Sequence, residues 1–516
     1  MPETTVQTLQ WADVVHLRPE LTLIITAFAL IILDLLLKRN VSRTYIGWGA
    51  LIGIVVSAAF VLQQMFDLHG LSGADGQPQW IELLGHSYRV DDFACILKLI
   101  FLTGTGLIIL MSIGNVKERD IPHLGELYYL YLPAVLGAMT MASSGDLITL
   151  FVGLELLSIT TYVLVGMRKK HLHSGEAAFK YVVLGGISSA ILLYGMSFLY
   201  GMSGSTNLAA IHQALAENHA SFPELIYVSF FLILAGLGFK IAAAPFHAWA
   251  ADVYQGAPTP VSAFLAVISK AAGFAVLYRL VYGVFYGLGD ESLPIHSDVF
   301  LAITVVAATA MIAGNVLALR QKNVKRLLAY SGVANAGYLL VPMGTGIAAV
   351  HFSSLTEFMF YLIAYLFMNV GAFAVVMAVS RAAGHDELSG FEGMYYRAPF
   401  TAVAMSILLL SLAGLPLTGG FFGKLYILLG AFETHDYWLA AVMLATSIVS
   451  FYYYFSFIRQ MYMRQTGNAE PIRVNPTMGI TIWICAGATV LLGLLPGQVL
   501  RYLESIISWG ADFIIQ

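Results

Sequence analysis

Five ionisable side chains lie within segments of the sequence that are otherwise almost wholly apolar. They are Glu155, Lys180, Lys240, Lys270 and Lys424. A charged side chain at the centre of a membrane helix costs about 2.5–3.5 kcal/mol on insertion scales, so such residues generally have a function. Burial favours neutral lysine and neutral glutamic acid, whereas proximity of the two favours the charged pair. Together these residue types indicate a switchable store for protons.

The lysines differ in how deeply they lie within their apolar segments. Lys270 is near the middle of PTPVSAFLAVISKAAGFAVLYRL and is followed by small residues that permit close helix contact. Lys180 follows Glu176 by four residues, so a local ion pair on the helix surface is the alternative interpretation of this lysine. Lys98 lies near the end of its segment, and we expect its stem to reach the lipid headgroups. The depth of Lys270 favours a functional role.

Lys240 stands beside a predicted interruption of its helix. Pro245 follows this lysine by five residues and should break the helix near residues 241–246. The physical reason is that proline removes a backbone hydrogen bond and clashes with the preceding turn. His247 follows the break, and it is a candidate proton relay because histidine titrates near neutral pH. Ordinary side-chain packing is the alternative for this histidine.

A second interruption is predicted just before Lys424, in SLAGLPLTGGFFGKLYILLG. Pro416 and three neighbouring glycines should end one helix there and allow another to begin. The two interruptions are five predicted helices apart, and those two helices cross the membrane in opposite directions. Broken helices at matching positions of two inverted halves indicate a transport site.

The composition places these residues in a membrane protein. Of 516 residues, 59% are hydrophobic and 11% are charged, and the mean hydropathy is +0.78. An ordinary soluble domain carries about 25% charged residues. The net charge of −4 gives no indication of nucleic-acid binding. Cys95 and Cys485 lie in apolar runs, so we expect neither a disulfide framework nor a metal site.

Apolar runs of about 20 residues, long enough to span the bilayer core, recur along the chain. They predict an all-α polytopic membrane protein with about fourteen transmembrane helices. These spans cover residues 20–37, 44–65, 92–113, 126–143, 146–166, 174–201, 224–251, 257–283, 297–319, 324–345, 353–380, 398–430, 438–463 and 476–499. Spans 4–8 and 9–13 are predicted to form two inverted five-helix repeats, with broken helices in spans 7 and 12.

We therefore predict one membrane domain over residues 1–516, divided into four parts. The parts are an N-terminal group of three helices (1–113), a first repeat (126–283), a second inverted repeat (297–463), and a C-terminal helix and tail (476–516). Lysine and arginine concentrate in the loops of one side, which places both termini on the outer face. No basic segment precedes a short apolar one at the start, so we expect no cleaved signal peptide.

Three shorter stretches have predicted structures of their own. Residues 66–91 should form an outer hairpin with two short strands, and residues 205–218 suit a short surface helix. The tail over residues 500–516 is amphipathic, and we expect it to lie at the outer membrane interface. None of the three carries a catalytic pattern.

Long stretches around the lysines resemble one family. These stretches are PFHAWAADVYQGAPTPVSAFLAVISKAAGFAVLYR, VKRLLAYSGVANAGYLL and AGLPLTGGFFGKLYIL. They resemble the antiporter-like membrane subunits of respiratory complex I, a proton-translocating NADH:quinone oxidoreductase. DVYQGAPTPVSAFLAVISKAAGF and the opening LRPELTLIITAFALIILDLLL are similar to the N-type subunit rather than to the M or L type. The resemblance covers most of the chain.

This resemblance implies a proton channel along a central row of charges, driven by quinone reduction elsewhere in the complex. The family's glutamate of helix 5 falls on Glu155. Its lysines of helices 6, 7, 8 and 12 fall on Lys180, Lys240, Lys270 and Lys424. Many relatives carry histidine where this chain has Asn335, and an asparagine cannot pass a proton by titrating.

The resemblance also implies the surroundings of the chain. No cofactor is expected in it, whereas NAD, FMN, iron–sulfur clusters and quinone are expected in partner subunits. The antiporter-like subunit M and the small subunit K are the expected neighbours, in the lipid bilayer of a bacterial cell (inner) membrane. The sequence has no P-loop, no dinucleotide-binding fingerprint and no iron–sulfur cysteine pattern, which agrees with redox chemistry in other subunits.

Three alternatives to a proton-pumping subunit remain open on the sequence. The first is a subunit of a multisubunit Na⁺/H⁺ antiporter, which shares these motifs. The second is a self-contained secondary transporter, and the third is a membrane subunit with a structural role only.

Overall fold

The computed structural model describes residues 11–38, 41–70, 80–289, 293–346, 352–463, 470–507 and 509–513. The first helices are α1 (Trp11–His16), α2 (Arg18–Leu36) and α3 (Thr44–Gly70). Strands β1 (Ile81–Leu83) and β2 (Tyr88–Val90) pair antiparallel, with Ile81 opposite Val90, and α4 (Asp92–Ser112) follows. Both predicted strands are therefore confirmed, although residues 71–79 of the predicted hairpin lie outside the described residues.

The remaining helices follow in chain order. Over the first predicted repeat they are α5 (Leu124–Ala142), α6 (Leu147–Val165), α7 (Leu172–Ser203), α8 (Leu208–Asn218), α9 (Pro223–Lys240), α10 (Ala250–Gly256), α11 (Thr259–Phe264) and α12 (Lys270–Leu280). Over the second they are α13 (Ile295–Ala318), α14 (Val324–Gly344), α15 (Ser354–Ala383), α16 (Met394–Arg397), α17 (Pro399–Ala413), α18 (Gly419–Glu433) and α19 (Tyr437–Met463). The last are α20 (Pro476–Leu494), α21 (Pro496–Ile506) and α22 (Trp509–Phe513).

Two long helical segments form the centre of the bundle. The continuous segment Thr259–Phe285 contains α11, α12 and two π-helical stretches, and the most apolar part of it is wholly buried. Helix α15 packs against its first half and is buried over 89% of its apolar window. Helices α2 and α7 lie at the periphery, with 22% and 33% of their windows buried. The first central segment carries Lys270, and α15 carries its contact Tyr365.

Each of the fourteen predicted spans overlaps a helix of the structure. Among the described residues, eleven helices are long and apolar enough to cross a membrane. The other three predicted spans overlap α5, α14 and the pair α17–α18, which are shorter or less apolar. The all-α polytopic fold is thus confirmed, while the count of fourteen crossings stays a prediction.

Both predicted helix breaks are present. Helix α9 ends at Lys240 and α10 begins at Ala250, with Ala242 in the left-handed region at φ 55° and a cis peptide bond before Pro245. Helix α17 ends at Ala413 and α18 begins at Gly419. Proline and left-handed residues interrupt the hydrogen-bond ladder at these points, as the sequence indicates.

The two predicted repeats share a local feature at the start of their second helices. Asp146 caps α6 by accepting a hydrogen bond from the Thr149 amide, and Asn323 caps α14 in the same way from Arg326. Each cap residue also forms an isolated β-bridge with the segment after the third helix of its repeat, at Asn207 and Glu387 respectively. The equivalence of α6 and α14 supports a duplicated unit, while the proposed domain boundaries stay a prediction.

The prediction that Lys98 reaches the headgroups is wrong. Its side chain is fully buried, and its Nζ lies 3.0 Å from Glu20 Oε1 on α2 and donates to the Tyr88 hydroxyl at 2.9 Å. Tyr88 in turn donates to the same Glu20 oxygen. A carboxylate 78 positions earlier in the chain satisfies this lysine, so that the interior rather than the interface is its favourable environment.

The predicted amphipathic tail is a helix over most of its described part. Leu500, Leu503 and Ile506 form the buried face of α21, and α21 contacts α15. The apolar face of this helix therefore packs on the protein.

Candidate functional site

The predicted pairing of Glu155 with a lysine involves α6, which carries Glu155, and the end of α9, which carries Lys240. Lys240 is buried as the last residue of α9, and its Nζ donates to Ser158 Oγ at 2.8 Å. Ser158 lies three residues after Glu155, so the two side chains are close neighbours on α6. Glu155 Oε1 is buried and has no hydrogen-bond partner in the described part of the chain. Lys240 is therefore the lysine that the structure places beside the helix face of Glu155.

Lys180 has other partners. Its Nζ lies 2.7 Å from both Glu176 on its own helix and Asp252 on α10, with the lysine side chain 37% exposed. Asp252 also accepts a hydrogen bond from Arg326 at 2.5 Å. The local pair with Glu176, the alternative left open by the sequence, is present. Sequence reasoning missed Asp252, although an acid just after the α9 break was a detectable signal.

The predicted relay residue His247 lies in the break between α9 and α10. Its Nδ1 is buried without a hydrogen-bond partner among the described residues, and its ring lies 6.3 Å from the ring of Tyr330 on α14. Trp249 closes the break by donating to the carbonyl of Phe239 at 2.9 Å. The histidine thus faces the second repeat, and its role as a relay stays a prediction.

Lys270 lies at the end of a π-helical stretch, Leu265–Ser269, inside the wholly buried central segment. Its Nζ donates to the backbone carbonyl of Gly332 on α14 and to the Tyr365 hydroxyl on α15 at 3.3 Å. The ammonium also lies 5.4 Å from the centroid of the Tyr365 ring. All of these partners are neutral, so no counter-charge stabilises a protonated Lys270 at contact distance in the described structure.

Helix α12, which carries Lys270, also packs closely against Lys240. A methyl group added at Gly273, three residues after Lys270, would lie 3.2 Å from Lys240 Cγ. The glycine therefore allows the two lysine-bearing segments to approach closely. Ser269 Oγ and the Tyr181 hydroxyl are buried without partners among the described residues. Water molecules commonly satisfy such groups in protein interiors.

A polar face of α14 continues from Lys270 toward the second break. Asn335 Nδ2 donates to the Ser331 carbonyl at 2.8 Å, and Asn335 Oδ1 accepts from the Tyr361 hydroxyl at 2.5 Å. The Ser331 hydroxyl bonds the Tyr454 hydroxyl at 2.5 Å. Tyr338 is the next residue on this face, since it follows Ser331 by seven positions, about two helical turns. Asn335 is thus part of a continuous hydrogen-bonded network.

Lys424 ends this row at the second break. Its Nζ donates to the carbonyls of Leu412 and Ala413 at 2.8 and 3.3 Å. These are carbonyls of the last turn of α17, which have no partners within that helix and carry partial negative charge. The Nζ also lies 4.6 Å from the ring centroid of Tyr338. The broken helix therefore supplies the acceptors that hold this lysine.

A wide cavity of about 1040 Å³ opens at the ends of the helices near the first break and α14. Basic side chains dominate its charged lining, which includes Lys117, Arg119, Arg168, Lys170 and Arg381. Asp386 also lines it and pairs with buried Lys325 at 3.0 Å. Desolvation acts to raise the pKa of Asp386, but Lys325, Ser380 and Arg168 together more than offset it and hold that pKa below its ordinary value.

Comparison with known proteins shows the family. A family model described as NADH:quinone oxidoreductase/Mrp antiporter, TM matches residues 144–450. An NADH-quinone oxidoreductase subunit N from Paenibacillus sp. (strain JDR-2) is 54% identical over 515 residues, which cover 98% of this chain and 99% of that relative. The chain belongs to the NADH-quinone oxidoreductase subunit N family.

Solved structures agree with this membership. A chain in the respiratory complex I of Thermus thermophilus with bound aureothin is 31% identical, with a TM-score of 0.77, and the match covers 95% of this chain and 100% of that one. A chain of the Mrp complex from Dietzia sp. DQ12-45-1b has a TM-score of 0.80 at 20% identity, covering 96% and 97%, which shows a shared fold alone.

The resemblance drawn from the sequence is thus confirmed. As an NADH-quinone oxidoreductase subunit N, the chain is a multi-pass membrane protein and one subunit of a multisubunit proton-translocating complex. Within the described residues, no group of three or more His, Cys, Asp or Glu side chains could hold a metal ion.

Proposed function

We propose that this subunit moves protons across the membrane along a central row of buried polar groups, while quinone reduction in other subunits supplies the energy. The row consists of Glu155, Lys240, Lys270, the polar face of α14 and Lys424. Both termini lie on the outer face, and subunits M and K are the neighbours. The partner subunits bind NAD, FMN, iron–sulfur clusters and quinone.

One contrast among the lysines carries this proposal. Lys98, Lys180 and Lys325 each have a carboxylate within 3.0 Å. Lys240, Lys270 and Lys424 are also buried, with 6%, 2% and 7% exposure, yet their described hydrogen-bond acceptors are all uncharged. Burial without a counter-ion disfavours the charged form. These three lysines therefore release a proton at lower cost than the paired ones.

Glu155 is suited to control the first of these lysines. When its carboxylate is charged, electrostatic attraction stabilises the ammonium group of Lys240 beside it. When a charge displacement neutralises or moves the carboxylate, Lys240 can release its proton to Lys270. Lys180 acts with Asp252 at the edge of this region, so its contribution to the row is indirect.

The experiment is Glu155→Gln in the assembled complex reconstituted into liposomes. Glutamine keeps the size and polarity but cannot hold the charge, so the proton-to-electron ratio should fall by this subunit's share. Glu176→Gln is the matched control, because that carboxylate is 57% exposed and its lysine keeps Asp252. An unchanged ratio and rate for Glu155→Gln would remove Glu155 from the mechanism.

A methyl group at Gly332 tests the geometry around Lys270 without changing any charge. In Gly332→Ala the new carbon would lie 3.0 Å from Lys270 Nζ and 3.3 Å from the Tyr365 hydroxyl. Crowding of this kind costs about 1–3 kcal/mol, so the ammonium should shift from its acceptors and translocation through the subunit should fall about tenfold.

Proton uptake by liposomes, measured per NADH oxidised, reports this effect. Gly487→Ala on α20 is the control, since nothing lies within 4 Å of the added methyl group there. Equal ratios in the two variants would contradict the assigned position of the Lys270 ammonium.

A further inference from the structure

One face of α15 carries an ionisable residue that the proposed row does not include. Glu357, Tyr361 and Tyr365 follow each other at intervals of four residues, so they lie on the same side of the helix. All three are buried, with exposures of 5%, 0% and 0%. Tyr365 contacts Lys270, and Tyr361 donates to Asn335. The face therefore begins at the centre of the row and ends at Glu357.

Helix α18, which carries Lys424, also packs against the Glu357 side chain. Gly423, next to Lys424, packs directly on the Tyr361 ring. Gly430, six residues after Lys424, lies where an added methyl group would be 2.9 Å from Glu357 Oε2. Six residues of α-helix correspond to about 9 Å along the axis. Glu357 on α15 therefore faces α18 about 9 Å beyond Lys424, toward the C-terminal end of that helix.

Glu357 has no structural partner in the described part of the chain. Within the described residues, no hydrogen bond or ion pair involves its carboxylate, although the residue is only 5% exposed. Burying an unpaired carboxylate in this way is unfavourable. No hydrogen bond or ion pair of the described residues offsets this cost, which makes Glu357 a candidate for a functional role.

Glu504 on α21 is the acidic residue that stabilises this end of α15 through hydrogen bonds. Its Oε2 accepts from the Ser353 amide and hydroxyl, each at 3.0 Å, and from the Thr356 hydroxyl at 2.5 Å. Glu433, at the exposed end of α18, is the other charged group acting on Glu357. Both neighbours are acidic residues, so neither can act as a counter-ion for Glu357.

We propose that Glu357 accepts the proton that leaves Lys424 and releases it at the outer ends of α15 and α18. The inference rests on the proposed function. In this step an N–H bond of protonated Lys424 breaks and an O–H bond of Glu357 forms, with water bridging the two groups. The O–H bond then breaks toward the aqueous phase, and the carboxylate is restored. No electron is transferred.

Glu357→Gln in the reconstituted complex is the test, with the proton-to-electron ratio as the readout. The ratio should fall to the value of a Lys424→Met variant, and the double variant should fall no further, because the two groups act in series. Glu357→Asp keeps the carboxyl group and should restore most of the ratio. Glu224→Gln, at an exposed acid in the first turn of α9, should leave the ratio unchanged and is the matched control.

The outcomes separate this assignment from the proposed function. If Lys424→Met lowers the ratio and Glu357→Gln does not, the release role of Glu357 is wrong while the row stands. If neither Lys424→Met nor Lys270→Met lowers it, the proposed function itself fails. Should Glu357→Gln prevent assembly, Gly430→Ala, whose methyl group would crowd Oε2, gives the same comparison without loss of the carboxyl group. An unchanged ratio in that variant would also overturn the proposal.

Discussion

Replacing Lys270 by methionine is expected to abolish proton translocation through this subunit while the complex still assembles and oxidises NADH. Methionine fills a similar volume, so the central segment keeps its packing. What is lost is the amino group that donates to the Gly332 carbonyl and the Tyr365 hydroxyl. The row then has no group at its centre that can take up and release a proton.

A second substitution at the same position distinguishes titration from positive charge alone. Lys270→Arg keeps a cation that the carbonyl and hydroxyl can bind, but arginine does not release its proton in the physiological range. We expect this variant to be as inactive in translocation as the methionine variant. Lys322→Met, at an exposed lysine in the loop before α14, is the control. Full translocation with arginine would show that Lys270 acts as a fixed charge.

The second large effect is on stability. Among the described residues, Lys98→Met leaves buried Glu20 with the Tyr88 hydroxyl as its one partner, and breaking a buried pair in this way costs about 3–5 kcal/mol. The expected result is a lower thermal denaturation midpoint and a smaller yield of assembled complex. The proton-to-electron ratio of the surviving complexes should be normal, because this pair lies outside the row.

Restoring neutrality should reverse this loss. In the double variant Lys98→Met with Glu20→Gln neither position of this pair carries a charge, and glutamine can still accept the tyrosine hydrogen bond. Stability between the wild type and Lys98→Met is expected for the double variant. A single variant as stable as the wild type would show that the pair contributes nothing, and an additive further loss in the double variant would show that the charges do not interact.

The sequence was sufficient to predict the helices and both breaks, because apolar length and proline chemistry act locally. It also singled out Lys270, whose depth follows from its distance to either end of an apolar segment. Interaction partners that are distant in the sequence could not be predicted from it. Asp252 pairs with Lys180 from 72 positions away, and a backbone carbonyl such as that of Gly332 has no sequence signature as an acceptor.

Glu357 shows a second reason why the prediction was incomplete. A carboxylate four residues after a helix cap is ordinary in a sequence, since acids are favoured near helix N-termini. Only the structure reveals that Glu504, far along the chain, stabilises that end of α15. Depth along a span can be read from a sequence, but whether a charge has a partner depends on the packing of elements that are distant in the chain.

The equivalent helix caps allow corresponding positions of the two repeats to be compared. Glu155 and Gly332 each lie nine residues after the equivalent caps Asp146 and Asn323. At one and the same place in the duplicated unit, the first copy has a side chain that can gain or lose charge and the second has a fixed backbone dipole. Within the proposed function, an arriving charge can therefore change the protonation of the first copy at this position, whereas the second copy offers a hydrogen-bond acceptor whose charge does not change.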